Sequence, residues 1–193
     1  FMIIFLIIII FIINIQSWTQ ADDISEFEIE GMSIGDNALE HFKKEELNNA
    51  EKFTYPSKKF SEIFTHSSNY EIYDSVTISL MEGKYKIYGI SGVIDYREKS
   101  FEDCLKAKND IIDELKITFK NSKIIDNGTY QTPDYAGDKS KRSQVELLLN
   151  QNGGVVSVDC VDWSKEAEKK HGWGDNLSIT LYSKEYERFV RSL

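Results

Sequence analysis

The chain has 193 residues, a formal net charge of −9 and only two cysteines. A chain of this length is expected to form one domain after any leader is removed, with a core large enough to need no metal. The acidity argues against nucleic acid as a partner, because phosphates require a basic surface, and equally against an anionic membrane surface.

The first segment of the chain predicts the cellular location of the protein. Residues 1–13 are apolar without a break, which is too short to span a bilayer but typical of a signal peptide. Thr19 and Ala21 supply the small residues of a cleavage site, so we expect cleavage after Ala21 and a mature domain at 22–193. No basic residue precedes the apolar run, which indicates a leader truncated at its N-terminus. An uncleaved leader that anchors the domain to the inner membrane is the alternative; a buried N-terminal helix is a second.

A strand and a helix are predicted next. Apolar residues alternate with glutamates over 26–30, which indicates a short, half-exposed strand. The glycine-containing turn 31–36 lacks the residues of a phosphate loop and leads into a helix. Its inner face is predicted to carry Leu39, Phe42 and Leu47.

The middle of the chain predicts a hairpin. A helical turn is expected at Lys59–Thr65. A strand with apolar residues two or four apart follows: Ile72, Val76, Ile78 and Leu80. The turn 81–84 leads back into a second strand within Tyr85–Tyr96.

A long helix begins after Ser100. Asp103 lies three residues further on, as in a capping box. An apolar stripe at three- and four-residue spacing then follows: Cys104, Ala107, Ile111, Leu115 and Thr118 with Phe119.

The last third of the chain consists mainly of predicted strands. They are expected at Lys123–Gln131, around 145–149, around 156–160 and at Asn176–Tyr182, with a polar loop at Thr132–Lys141, a turn at 152–154 and an amphipathic segment at 183–193. The order lacks a regular βαβ alternation. It predicts an α+β fold: a mostly antiparallel sheet with one long helix and shorter helices packed on one face.

The two cysteines are expected to meet between the long helix and the sheet. Cys104 lies on the apolar stripe of the helix, and Cys160 shares a strand face with Val156 and Val158. An exported protein reaches an oxidising compartment, so we predict the disulfide Cys104–Cys160. Two buried free thiols are the alternative.

The densest polar region, residues 159–176, supplies the catalytic candidates Asp159, Asp162, Glu166 and His171. Asp159 and Asp162 fall on opposite faces of a regular strand, and one histidine with scattered carboxylates matches no metal-ligand pattern. A structural interpretation covers the same residues. Ser164 caps a short helix, His171 lies near the C-terminal end of the helix dipole, and Gly172 ends the helix.

The aromatic residues supply the ligand-binding candidates Tyr88, Tyr96, Trp163 and Trp173. Tyr88 and Tyr96 are expected to share one face of the hairpin. They indicate either ordinary sheet packing or an aromatic groove for a small ligand or peptide. The two tryptophans flank the predicted short helix. His41 and His66 are isolated in the sequence and are expected to be solvated, and no metal site or cofactor is predicted.

Several stretches carry a resemblance: FEIEGMSIGDNALEHF, the helix with Cys104, VDCVDWS, and WGDNLSITLYSKEY. With them the chain resembles small exported proteins of unknown function from AT-rich marine alphaproteobacteria. The resemblance implies a bacterial, Gram-negative, periplasmic protein, and it brings no activity or catalytic residues.

The combined prediction is a periplasmic binding or envelope-associated module without its own catalysis. Its expected partner is a small ligand or an envelope protein, with membrane contact only through an uncleaved leader. The alternative is a periplasmic hydrolase that uses carboxylates of the 159–175 region.

Overall fold

The fold is described from a computed structural model that covers residues 24–132, 140–149 and 153–193. The predicted signal peptide 1–21, most of the predicted loop 132–141 and the start of the predicted turn at 152 lie outside these residues. Among the described residues, no helix is long and apolar enough to span a membrane.

An eight-stranded antiparallel sheet forms the centre of the molecule, in the spatial order β3-β4-β5-β6-β10-β9-β8-β7. The short hairpin of β1 (Glu28–Ile29) and β2 (Met32–Ser33) precedes it. The strands of the large sheet are β3 (Glu51–Thr54), β4 (Phe60–Thr65), β5 (Ser75–Met81), β6 (Ile87–Asp95), β7 (Lys123–Gln131), β8 (Lys141–Leu149), β9 (Gly154–Asp162) and β10 (Asn176–Ser183). The predicted α+β class with a mostly antiparallel sheet is confirmed.

Within the described parts of the chain, four α-helices accompany the sheet: α1 (Lys44–Asn49), α2 (Phe101–Thr118), α3 (Lys165–His171) and α4 (Lys184–Val190). Short 3-10 turns lie at Ile24–Glu26 and Ala38–Glu40. The caps of α3 follow the sequence prediction. The side chain of Ser164 accepts a hydrogen bond from the Ala167 amide at 3.1 Å, and Gly172 ends the helix with a φ of 72°.

The long helix α2 packs on the first face of the sheet. Its capping box is present, because Ser100 and Asp103 exchange side-chain to backbone hydrogen bonds. Its buried side chains are Cys104, Lys108, Ile112 and Leu115. Cys104, Ile112 and Leu115 join the main core with the inward residues of β9 and β10, among them Val156, Val158 and Cys160. The predicted stripe therefore exists, but it is rotated so that Lys108 is more deeply buried than Ala107.

The structure adds one detail to the predicted fold. The helix α4 packs on the second face of the sheet, which is the face opposite α2. Ser183 caps this helix, and Tyr186 and Phe189 form a separate cluster with Phe60 of β4. Glu62 accepts hydrogen bonds from the hydroxyls of Tyr55 and Tyr186, both at 2.7 Å. Both faces of the sheet are thus covered near α4.

The prediction of a helical turn at Lys59–Thr65 is wrong, because these residues include strand β4. Phe60 is buried under α4 on the second face, while Ser61, Ile63 and Thr65 are buried on the first. Burial on both faces hides the two-residue period of a strand, and the three-residue spacing of Phe60 and Ile63 imitates a helix.

Two further boundaries differ from the prediction. The helix expected across Leu39, Phe42 and Leu47 is split into a 3-10 turn and α1, so that Leu39 is 38% exposed while Leu47 is buried. The strand expected from Ile72 begins at Ser75, and Ile72 is an exposed loop residue.

Candidate functional site

A groove of about 1170 Å³ opens beside the end of β4, and we call it the edge groove. It is partly open to solvent. Its lining residues are Glu30, Met32, Leu39, Glu40, His41, Phe42, Lys43, Lys44, Glu46, Leu47, Asn49, Ala50, Glu51, Phe64, Thr65, His66, Ser67, Asn69 and Tyr70. Three stretches of the first half of the chain therefore meet at this site: 30–32, 39–51 and 64–70.

One side of the edge groove is built by the segment from Leu39 to Ala50. The Asn37 side chain accepts a hydrogen bond from the Leu39 amide at 3.1 Å, which fixes the start of the 3-10 turn. The Glu46 carboxylate accepts one from the Lys43 amide at 2.8 Å, which fixes the start of α1. These two local caps break the helix between them and leave Leu39 exposed toward the groove.

The other side is the loop 66–74, which connects β4 to β5 and which we call the groove wall. The Tyr70 hydroxyl lies 2.6 Å from the Thr65 hydroxyl, and this contact fastens the first half of the wall to β4. At its far end, the Asp74 amide donates to the Val93 carbonyl at 2.9 Å. The wall is thereby anchored at both ends to the sheet.

The side chains that line the edge groove are suited to binding a ligand. Apolar and aromatic side chains, including Leu39, Phe42, Phe64 and Tyr70, line the groove together with negatively charged glutamates and positively charged lysines. His41 lies 3.1 Å from Asp36 and is held by it. No group of three or more His, Cys, Asp or Glu side chains that could hold a metal ion occurs within the described parts of the chain.

The four predicted catalytic residues occupy different environments. Asp159 is buried on the second face, where its carboxylate accepts from Arg142 at 2.8 Å and from Ser157 at 2.7 Å. Asp162 lies 3.3 Å from Lys141 instead. This outcome confirms that Asp159 and Asp162 point to opposite faces of β9.

The other two catalytic candidates lie on α3. Glu166 is exposed in its first turn, and the His171 ring stacks on Trp173 at 4.2 Å. The two aspartates form ion pairs with neighbouring basic residues of β8 on opposite faces of β9. The structure therefore does not place the four candidates in one cleft.

The predicted ligand contacts are separated as well. Tyr88 packs against Phe60 in the second-face cluster, whereas Tyr96 belongs to the main core on the first face. The expectation that they share one face is wrong. An irregularity in the β5–β6 pairing, where Ser79 pairs with Gly89 and Leu80 with Ile87, shifts the alternation at Tyr88.

The two tryptophans do meet. The rings of Trp163 and Trp173 lie 4.6 Å apart, and His171 extends the stack. The Asp175 carboxylate accepts from the Trp163 amide at 2.7 Å, and burial raises the pKa of this carboxyl. None of the four predicted ligand contacts lines the edge groove.

One buried cation is absent from the sequence predictions. The Lys108 ammonium group lies between α2 and the sheet and donates to the Ser143 hydroxyl at 2.7 Å. Burial lowers the pKa of Lys108, while the charges of Asp126 and Asp159 oppose that shift. Its position on the same helical side as Cys104, four residues earlier, was the signal available in the sequence.

The predicted disulfide Cys104–Cys160 is confirmed. The two sulfur atoms are bonded and the Cα atoms lie 5.9 Å apart, within the range of native disulfides. The bond joins the first turn of α2 to β9 inside the main core.

Comparison with known proteins gives little further information. No family model matches the sequence, and no curated protein matches it. A structural similarity exists to the Saccharomyces cerevisiae Ran-binding protein Mog1p, with a TM-score of 0.32 and 11% identity over 70% of this chain and 77% of Mog1p. A similarity at this level assigns neither a family nor a function.

Proposed function

We propose that the protein is an exported binding module that takes an extended peptide segment of a partner protein in the edge groove and acts without catalysis. The observation that carries the proposal is the edge groove itself. Its lining combines apolar and aromatic side chains, of which Leu39 is exposed, with charges of both signs. Its volume of about 1170 Å³ is above the range of roughly 300–1,000 Å³ usual for small-molecule sites.

The neighbouring strand supports a peptide as the occupant. β3 lies at the edge of the large sheet, pairs with β4 alone among the described strands, and has four exposed residues. Its first residue, Glu51, also lines the groove. Extended peptides bind to such edges through main-chain hydrogen bonds while adjacent pockets select side chains.

Export is the second part of the proposal. It is supported by the apolar leader of the sequence and by the buried disulfide, because disulfides persist in oxidising compartments. The resemblance to exported proteins of marine alphaproteobacteria agrees with a periplasmic location. An intact mass of the protein recovered from periplasm tests this part. A chain that begins at Asp22 and lacks two hydrogens is expected; a retained leader with two free thiols contradicts it.

The binding part is tested with peptides selected from a phage-displayed random library and labelled with fluorescein. Leu39→Ser removes an apolar contact of the groove, and Ile117→Ser removes one from the outer side of α2, where Ile117 is 58% exposed. Burying a leucine contributes roughly 1.5 kcal/mol, which corresponds to about a tenfold change in affinity. We expect L39S to weaken binding by about that factor and I117S to leave it unchanged. Selected peptides that bind both variants equally well contradict the proposal.

A further inference from the structure

The turn between β1 and β2 contains a residue whose backbone conformation is unfavourable. Glu30 and Gly31 form the two-residue connection of this hairpin, with φ angles of 51° and 73°. Positive φ at both positions is the pattern of a type I′ turn, in which asparagine and glycine are preferred. This conformation is unfavourable for glutamate, so another interaction must stabilise it.

That interaction is with the groove wall. The Glu30 carboxylate accepts hydrogen bonds from three consecutive backbone amides: Glu71 at 2.9 Å, Ile72 at 2.9 Å and Tyr73 at 3.0 Å. Consecutive amides that converge on one anion form a nest. Although desolvation opposes ionisation, the three amide donors hold the pKa of Glu30 below its usual value. The carboxylate is therefore ionised and firmly held at neutral pH.

The held segment continues into the core and into the groove. The Tyr73 ring occupies the space above Gly92 of β6, since a Cβ atom at Gly92 would lie 2.5 Å from that ring. Burial and the charge of Glu30 raise the pKa of Tyr73 to about 12. On the other side of the nest, His66, Asn69 and Tyr70 line the edge groove together with Glu30. Glu30 thus connects the first hairpin to the middle of the groove wall.

We infer that Glu30 is the positioning residue of the edge groove: its carboxylate latches the groove wall in the conformation that binds the peptide. The inference rests on the proposed function for the identity of the ligand. A wall released from Glu30 keeps its two end anchors, Tyr70 and Asp74, and loses the contact between them. Ligand binding then has to order the wall again, and this ordering lowers the affinity.

Glu30→Asn removes the contact between residue 30 and the groove wall while it keeps the turn between β1 and β2. Asparagine suits the first position of a type I′ turn, so the hairpin is retained. Its side chain is one methylene shorter and uncharged, so the contact with the nest is lost. Glu28→Asn is the matched control, because Glu28 is an exposed glutamate on the adjacent strand β1. Glu30→Gln keeps the length and an acceptor oxygen without the charge, and is expected to restore part of the contact.

Amide hydrogen exchange and chemical shifts test, without any ligand, whether the Glu30 carboxylate holds the groove wall. In E30N we expect the amides of residues 71–73 to exchange at least about tenfold faster, with shifted resonances for His66 and Tyr70. E28N should leave both unchanged, and E30Q should fall between. Residues 71–73 that remain equally protected in E30N would overturn the inference.

The affinity for a selected peptide then tests whether Glu30 positions the groove wall for binding. We expect E30N to weaken the binding of a peptide that is sensitive to L39S by about fivefold or more, while E28N binds normally. If exchange accelerates but the affinity is unchanged, Glu30 is a structural contact only and the inference fails, while the proposed function stands. If no peptide is sensitive to L39S, the proposed function fails, and the claim that Glu30 fixes the wall is decided by exchange and shifts.

Discussion

Breaking the disulfide Cys104–Cys160 should destabilise the domain by a magnitude that follows from its position. The cysteines are 56 residues apart in sequence. In the chain-entropy model, closing a loop of that length removes enough freedom from the unfolded chain to stabilise the fold by about 4 kcal/mol. For a domain of this size, each kcal/mol changes the melting temperature by about 2–4 °C. We therefore expect a loss of about 8–16 °C on breaking the bond.

Two perturbations separate the cross-link from side-chain packing. Reduction of the wild type with dithiothreitol breaks the bond and keeps both buried sulfur atoms, whereas the double variant Cys104→Ala/Cys160→Ala removes the sulfurs as well. Urea unfolding followed by circular dichroism should give a large loss for reduction and a slightly larger loss for the variant. A fully reduced protein, verified by a mass gain of two hydrogens, with an unchanged unfolding midpoint would refute the reasoning.

Three further predictions concern the stability of the fold. Tyr186→Phe removes the hydroxyl that donates to Glu62 and should cost about 1–3 kcal/mol in urea unfolding. Burial raises the pKa of Tyr186, so above pH 10.0 the wild type should lose stability more steeply than Y186F; parallel curves would contradict this. Lys108→Met should stabilise the fold by about 1–4 kcal/mol at neutral pH, because it removes a buried cation that donates a hydrogen bond to a neutral hydroxyl. That gain should shrink as the pH rises toward 10.5, since the folded wild type loses its proton first; a gain independent of pH would show that the amine is solvated. Gly172→Ala forces a Cβ atom into a left-handed C-cap and should cost about 1 kcal/mol, measured by thermal unfolding; an unchanged melting temperature would mean that the end of α3 adapts freely.

Elements with local signals were predictable from the sequence. The capping box at Ser100, the Ser164 cap with Gly172, and the alternation along β8 all appear in the structure as expected. Each depends on residues a few positions apart, which a single sequence displays directly. The Cys104–Cys160 pairing was also predictable, because both cysteines lie on faces already assigned to the core.

The edge groove was not predictable for physical reasons. β3 has four exposed residues and no apolar alternation, so nothing in its sequence marks it as a strand. β4 is buried on both faces, because α4 returns from the far end of the chain to cover Phe60. The Glu30 contact joins residues more than forty positions apart through backbone amides, which carry no side-chain signature. His41 and His66 are isolated in the sequence, although both line the groove in the structure.

The location of bound peptide on the protein tests the central claim most directly. A selected peptide titrated into isotopically labelled protein should shift the amide resonances of Leu39, Phe42, His66 and Tyr70, which surround the edge groove. Shifts centred on Trp163 and Trp173 would instead assign binding to the aromatic stack beside α3 and would contradict the account.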